Sequence, residues 1–254
     1  MQISPPGIKP ASEQLPCSKC LLLKNKAFRN FNKKELEFVQ NYKSGEMVAD
    51  AGTTLLLEQN NSAHLYTILS GWAFRYKLLE DGRRQILNFA LPGDFIGLQS
   101  SIFNEMDHSV ESLTEIVLCI FPREKLWNLY KNHHELAFDI TWLAAREERT
   151  LDENLLSVGR RTAIERISHI LLNLYCRLEQ LGMTNKGKAL FPFKQHHLAD
   201  ALGLSLVHTN KTLKKLERMK AIRWKNDTFE VISHKALAKI ANYEFKDPAP
   251  RPFI

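Results

Sequence analysis

Long apolar runs and cysteine are both scarce in this sequence. The longest strongly apolar stretch is Ile116–Phe121, far shorter than a membrane-spanning helix, and the opening residues contain no apolar core of a signal peptide. Four cysteines among 254 residues exclude a disulfide scaffold. The sequence also lacks a phosphate-binding loop, a paired-carboxylate pattern and a serine–histidine–aspartate set. We therefore expect a cytoplasmic protein that is not an enzyme and does not enter a membrane.

Positive charge is concentrated in the last part of the chain. Residues 1–158 carry 17 Lys and Arg against 20 Asp and Glu, whereas residues 159–254 carry 18 against 8. The resulting net charges of −3 and +10 add up to the +7 of the whole chain. A basic half is typical of a protein that binds a polyanion, although a merely solvated basic face gives the same count. Charge alone leaves both interpretations open.

Turn residues at short intervals predict a β-rich first half. Between Lys43 and Phe121, glycine-containing turns alternate with runs rich in β-branched and aromatic residues. The Asp81-Gly82 pair predicts a hairpin. Strands at this spacing indicate a sandwich, barrel or roll.

A helical pattern replaces the strands after Pro122. The stretch ELAFDITWLAAREERTLDENLLSVG predicts a long helix that ends before Gly159. About 25 helical residues span nearly 40 Å, which is long for one small core. The apolar stripe of this helix therefore predicts a coiled-coil dimer interface, and packing on the chain's own core is the alternative. The stripe consists of Ile140, Ala144, Leu151, Leu155 and Val158.

Residues 195–219 predict a helix-turn-helix. Gly203 can adopt the left-handed conformation that ends the first helix, and Ser205 can cap the second. Two short strands joined through Asn226-Asp227 would form a wing. The second helix would present base-reading residues at its N-terminal end and phosphate-binding residues further along. The predicted DNA-binding residues are Leu206, Val207, His208, Asn210 and Lys211 in the first group and Lys214, Lys215 and Arg218 in the second.

These stretches resemble the Crp/Fnr family of bacterial transcription regulators. HLYTILSGWAFRYKLLEDGRRQILNFALPGDFIGLQ is similar to the family's β-roll, and LADALGLSLVHTNKTLKKLE is similar to its recognition motif. The resemblance implies an α+β fold with an N-terminal β-roll (a double-stranded β-helix like that of cyclic-nucleotide-binding domains), a long dimerisation helix and a C-terminal winged helix-turn-helix. It further implies a homodimer that senses an effector, binds double-stranded DNA at two-fold symmetric sites and acts with RNA polymerase.

The resemblance gives the chain a predicted organisation in five parts. Residues 1–16 and the last part are expected to be poorly ordered because of their composition. In chain order the parts are an N-terminal extension with a cysteine pair (1–28), a β-roll sensor domain (29–121), connecting and dimerisation helices (122–158), a winged helix-turn-helix DNA-binding domain (159–245) and a flexible tail (246–254).

Several positions depart from the family's pattern. Members that bind cyclic nucleotides carry a Glu and an Arg where this chain has Leu98 and His108. Without the arginine, a cyclic phosphodiester loses its charge-assisted contact, so cyclic AMP is not the expected effector. Val207 and Lys211 replace the Glu and Arg with which family members often read bases. The preferred half-site should therefore differ from that of the best-known members.

Cys17, Cys20 and Cys119 resemble three of the four cluster-binding cysteines of oxygen-sensing members of the family. The fourth position falls at Lys26, which is not a ligand. Three interpretations stay open: an iron–sulfur cluster, a thiol redox switch, or inert buried thiols.

A second class of function also stays open. The β-roll would bind a ligand and regulate a partner protein, and the C-terminal domain would not bind DNA. The cations of the predicted recognition helix favour DNA binding, because a domain without DNA has no need of them.

Overall fold

The chain folds into two compact units. The computed structural model describes residues 8–11, 14–245 and 249–254. Within these, the first unit comprises the residues up to Lys77, Phe89–Glu148 and Pro250–Ile254, and the second comprises Leu78–Asn88 and Arg149–Ala249. Each unit is therefore assembled from separate stretches of sequence.

Antiparallel strands form the predicted β-roll from two sheets. One sheet has the order β1-β2-β9-β4-β7 and the other the order β3-β8-β5-β6. Both faces of the central strands are covered: Ile68 and Leu118 belong to one hydrophobic cluster and Leu65 to another, and all three are completely buried. The strands are β1 (Ile8–Pro10), β2 (Gly45–Ala49), β3 (Thr54–Leu56), β4 (His64–Ser70), β5 (Ala73–Leu78), β6 (Arg84–Ala90), β7 (Phe95–Ile96), β8 (Ser109–Ser112) and β9 (Ile116–Pro122).

The hairpin predicted at Asp81-Gly82 is confirmed. Gly82 has a φ of +83°, which glycine tolerates because it has no Cβ, and Leu79 N–H donates to the Arg83 carbonyl at 2.9 Å. The hairpin segment Leu78–Asn88, which contains the last residue of β5, the turn and most of β6, belongs to the second unit.

Helices α1 (Lys33–Tyr42), α2 (Leu98–Phe103) and α3 (Leu126–Asn132) complete the first unit, and α4 (His134–Arg160) begins in it. A reciprocal capping box between Asn32 and Glu35 starts α1.

Helix α4 continues through Gly159, so the prediction that this glycine ends the helix is wrong. The chain leaves the helix only when Thr162 and Glu165 form the capping box of the next one.

Two segments predicted to be poorly ordered contain packed residues. Residues 1–7 and 12–13 lie outside the described residues, but Ile8–Pro10 pairs with β2. Residues 246–248 also lie outside the described residues, whereas Arg251–Ile254 is buried in the first unit. The flexible-tail prediction is wrong for these last residues because they find long-range partners that local composition does not reveal.

The second unit is helical with a small antiparallel sheet. Helix α5, whose buried residues include Ile167, Leu171 and Leu174, packs against the three later helices of this unit. Phe191, Phe229 and their aromatic neighbours pack beneath the sheet, whose strand order is β10-β11-β13-β12. The elements are α5 (Ala163–Gln180), β10 (Thr184–Asn185), β11 (Lys188–Leu190), α6 (Gln195–Leu202), α7 (Leu206–Arg218), β12 (Ile222–Lys225), β13 (Thr228–Val231) and α8 (His234–Ala241).

Candidate nucleic-acid interface

The turn between α6 and α7 has the predicted geometry. Gly203 adopts a left-handed conformation with φ +62°, and the Leu204 N–H bonds back to the Ala199 carbonyl at 3.1 Å. Ser205 then caps α7, since its hydroxyl accepts a hydrogen bond from the His208 N–H at 3.2 Å. The helix-turn-helix prediction is therefore confirmed at the level of local structure.

One face of α7 is buried and holds the helix in place. Leu213 and Leu216 are buried, and Leu216 is completely inaccessible. The buried hydroxyls of Thr209 and Thr212 donate to the carbonyls of Ser205 and His208 at 3.0 and 2.9 Å, so neither costs an unpaired polar group.

The opposite face of α7 is exposed and cationic. Val207 and Leu206 are 64% and 48% exposed at its N-terminal end. Further along, Lys211, Lys214 and Arg218 line an open concavity together with Glu217. His208 and Lys215 are exposed as well. Seven of the eight predicted DNA-binding residues are thus accessible side chains on one helix.

Asn210 is the exception among the predicted DNA-binding residues. It is half-buried, and its Oδ1 is shielded from solvent with no hydrogen-bond partner among the described residues. A bidentate contact to adenine needs both the oxygen and the nitrogen of the amide. Asn210 therefore has to rotate outward before it can read a base.

The predicted wing is confirmed as the hairpin of β12 and β13. Asn226 at its turn has a φ of +54°, which asparagine tolerates better than most residues. The backbone N–H of Trp224 donates a hydrogen bond to Glu217 Oε1 at 3.4 Å, which connects the wing to α7. Glu217 is the only acidic residue in α7, and its contact with the wing was not predicted from the sequence.

Contacts from neighbouring segments position α6. Arg166 Nη1 donates a hydrogen bond to the Leu202 carbonyl at 3.0 Å. This carbonyl is at the C-terminal end of α6, where carbonyls have no partner within the helix. The β-roll hairpin also contributes, because Arg84 pairs with Asp200 at 2.9 Å and Gln85 Nε2 donates to the Ala201 carbonyl at 3.1 Å. None of these three contacts could be predicted from the sequence, since no local pattern indicates partners so far apart.

The predicted dimer stripe on α4 is only partly accessible. Ile140 is completely buried in the core of its own unit, so its assignment to a dimer interface is wrong. Ala144 is exposed, Leu151 and Leu155 are 40% and 73% exposed, and Val158 is half-buried. Helical spacing alone could not tell which residues of the stripe the chain covers itself.

Cys17, Cys20 and Cys119 lie together and line one cavity of about 20 Å³. Burial raises the pKa of Cys17 and raises that of Cys119 to about 12, so both remain protonated thiols near neutral pH. An iron–sulfur cluster does not fit this site. The cavity has room for about one water molecule, and its other lining residues are hydrocarbons: Leu22, Leu23, Phe31, Val39, Leu69, Phe121, Phe253 and Ile254. Across the described parts of the chain, no group of three or more His, Cys, Asp or Glu is arranged to hold a metal ion.

The position expected to hold a cyclic phosphate carries no available cation. His108 is buried, and burial lowers its pKa to about 3, with the charges of Arg75 and Lys77 acting in the same direction. Arg75 itself pairs with Glu147 at 2.8 Å and donates to the Phe95 carbonyl at 3.0 Å. Neither side chain is placed to neutralise a phosphodiester.

A β-roll, a long helix and a winged helix-turn-helix with a cationic exposed helix define a class of DNA-binding regulators. Two family profiles match the chain in this order: "Cyclic nucleotide-binding domain" over residues 40–133 and "Crp-like helix-turn-helix domain" over residues 165–240. No described helix is long and apolar enough to span a membrane.

Three known proteins illustrate the similarity. The transcriptional activatory protein AadR of Rhodopseudomonas palustris is 33% identical over 187 residues, which are 74% of this chain and 77% of that protein. The nitrogen fixation regulation protein FixK of Bradyrhizobium diazoefficiens is 34% identical over 172 residues, 68% and 71% of the two chains. The structure of FixK2 from Bradyrhizobium japonicum superposes with a TM-score of 0.71 at 25% identity, covering 77% of this chain and 96% of that one. The chain belongs to the Crp/Fnr family and is a DNA-binding transcription regulator.

Proposed function

We propose that the protein is a homodimeric, sequence-specific regulator that reads two-fold symmetric DNA through α7. The observation that carries this proposal is the division of α7 into a buried face and an exposed cationic face that begins with Val207. At the N-terminal end of this cationic face, the exposed Val207 can pack on a thymine methyl group in the major groove.

Base reading is assigned to the N-terminal half of α7. Lys211 is placed to donate to guanine, and Val207 to contact thymine. Asn210 reads adenine after its amide turns outward, and this rotation breaks no hydrogen bond of Oδ1 because that atom has none among the described residues. Leu206 and His208 flank these contacts at the start of the helix.

Phosphate binding is assigned to the cations further along α7. Lys214, Lys215 and Arg218 are exposed and lie further from the N-terminal end of α7 than the proposed base-reading residues. Such contacts fix the orientation of the protein on the duplex and release counterions, but they carry no sequence information.

Dimerisation is assigned to the exposed apolar residues of α4. Leu151 and Leu155 are four residues apart, so their side chains lie on one face of the helix, and Ala144 is one further heptad before Leu151. Pairing two copies of this face would bury apolar surface that is otherwise in water, and it would give the DNA site its two-fold symmetry.

We propose that the protein activates transcription, because AadR and a relative from Rhizobium leguminosarum are described as transcriptional activators. We further propose that it acts with RNA polymerase and that it is not an enzyme. The β-roll would sense a signal other than cyclic AMP, since Leu98 and His108 offer no charge to its phosphate. A thiol-based redox response through Cys17, Cys20 and Cys119 is compatible with their proximity.

The proposal is tested by selecting DNA sites from a random library and measuring affinity by fluorescence anisotropy. Asn210→Ala should weaken binding mainly to the selected site, by about 1–3 kcal/mol, and relax preference at one base pair per half-site. Lys215→Ala should weaken selected and random DNA alike. If the wild-type protein enriches no sequence and binds no duplex, the alternative of a partner-protein regulator without DNA binding replaces this one.

A further inference from the structure

The segment Pro250–Ile254, which we call the strap, occupies a site in the β-roll unit. Its backbone pairs with the stretch before α1: the Arg251 N–H donates to the Ala27 carbonyl at 2.8 Å, and the Arg29 N–H donates to the Arg251 carbonyl at 2.9 Å. Phe28 and Arg251 form a parallel bridge. This is the backbone pattern by which proteins bind extended peptides.

The side chain of Arg251 is the polar anchor of the strap. Its guanidinium donates to the carbonyls of Pro92 and Gly93 at 2.7 and 3.1 Å and to the carboxylate of Asp94 at 3.0 Å. It also lies over the Phe28 ring, 4.6 Å from the centroid. All three acceptors belong to the segment Pro92–Gly97 of the β-roll, the PGDFIG motif.

Gly93 makes this arrangement possible. A Cβ at this position would lie 2.2 Å from the Phe28 ring and 3.1 Å from Arg251 Nη2, and the glycine has a φ of +80°. Any other residue would push Phe28 and Arg251 away from the turn. Because Gly93 has no Cβ, Phe28 and the strap residue Arg251 can lie close to its backbone.

The apolar end of the strap covers the cysteine cavity. Phe253 packs against Phe28 and Phe31 with ring centroids 5.1 and 4.8 Å apart. Ile254 is 2% exposed, and its carbonyl accepts a hydrogen bond from the Thr67 hydroxyl. Thr67 is the cross-strand partner of Cys119, so the end of the strap is held beside that thiol.

Detaching the strap does not leave a buried charge unpaired. Asp94 also pairs with Arg146 of α4 at 3.1 Å and accepts a hydrogen bond from the Leu91 N–H at 2.9 Å. The carboxylate therefore keeps a cation when Arg251 leaves, which removes the largest cost of breaking a buried ion pair.

We propose that the strap is a detachable internal ligand that gates the thiols of Cys17, Cys20 and Cys119. Its site in the β-roll unit accepts a peptide in which Arg-Pro is followed by an aromatic and an aliphatic residue. While the strap is bound, Phe253 and Ile254 close the cavity, and when it leaves, solvent and thiol reagents reach Cys119. This property is independent of how the protein binds DNA.

The test compares alkylation rates of individual cysteines by mass spectrometry in the full chain and in a variant that ends at Ala249. Loss of the strap should raise the rate at Cys119 about tenfold or more, which corresponds to about 1.4 kcal/mol of lost protection against opening. Cys176, buried in the second unit, should remain slow and is the internal control. Adding a synthetic peptide of residues 249–254 should restore protection, whereas the same peptide with Arg251→Glu should not.

Two results would overturn the proposal. One is a Cys119 rate that stays at the wild-type value in the shortened protein while Cys176 remains protected. The other is a failure of the wild-type peptide to slow the reaction. If the shortened protein unfolds, Cys176 will also react. The test is then repeated with Arg251→Gln in the full chain, where an unchanged alkylation rate at Cys119 refutes the gating role.

Discussion

Replacing Lys214 with alanine should reduce the salt dependence of DNA binding without changing the preferred sequence. Lys214 is exposed on α7, between Lys211 and Arg218 in the same concavity, and it lies beyond the N-terminal turn that is proposed to read bases. It is therefore positioned for a phosphate rather than a base edge. Its removal leaves the buried face of the helix unchanged.

The size of the effect follows from counterion release. Each phosphate contact adds about 0.9 to the slope of log affinity against log salt, so a dimer that loses one contact per copy should show a slope smaller by about 1.8. Between about 50 and 200 mM salt, the wild-type affinity should thus fall roughly tenfold more than that of Lys214→Ala. The two proteins should differ most at low salt.

The measurement is a series of anisotropy titrations on one labelled duplex at four or more salt concentrations. Lys34→Ala is the matched control, because Lys34 is equally exposed but lies on α1 of the β-roll unit, and it should leave the slope unchanged. An unchanged slope for Lys214→Ala, or an equal reduction for both variants, would refute the docking of α7 proposed above.

Three further predictions concern assembly, stability and pH. Leu155→Asp should convert dimers to monomers in sedimentation equilibrium because it places a charge on the exposed apolar face of α4, whereas Glu148→Gln should leave the mass unchanged; a dimeric Leu155→Asp protein would contradict the proposed interface. Leu216→Ala should lower the free energy of unfolding in urea by about 2–5 kcal/mol, since Leu216 is completely buried, and a loss well below this range would argue against its packing. Because burial lowers the pKa of His108 to about 3, the folded state resists its protonation, and stability should fall as pH drops below the unfolded value of about 6.5. His108→Gln should remove part of that fall between pH 7 and 5, and an identical fall in both proteins would show that His108 does not contribute.

Local chemistry made much of the fold predictable. Gly203 and Ser205 determine the turn of the helix-turn-helix by themselves, and Asp81-Gly82 does the same for the hairpin. The contrast between lysines and leucines in residues 206–218 likewise identified both faces of α7 before the structure was known. These features depend on residues within a few positions of one another.

Features that depend on distant partners were not predictable. Arg251 and Asp94 are 157 positions apart in sequence, so their ion pair leaves no local pattern. The proline-rich composition around Arg251 therefore suggested a flexible tail. Ile140 has the spacing of an interface residue, but periodicity does not say which core receives it. The half-buried state of Asn210 could not be predicted from its position along α7 either.

The hairpin segment Leu78–Asn88 belongs to the second unit, and this has a practical consequence for dividing the protein into fragments. Leu78–Asn88 supplies Arg84 to Asp200 and receives a hydrogen bond from Asn154 Nδ2 at the Leu87 carbonyl at 2.6 Å. The DNA-reading half is therefore not encoded by one contiguous gene segment. A fragment starting at Arg149 would expose surface that the hairpin normally covers, and a chimera that exchanges recognition helices between relatives should carry the matching hairpin with them.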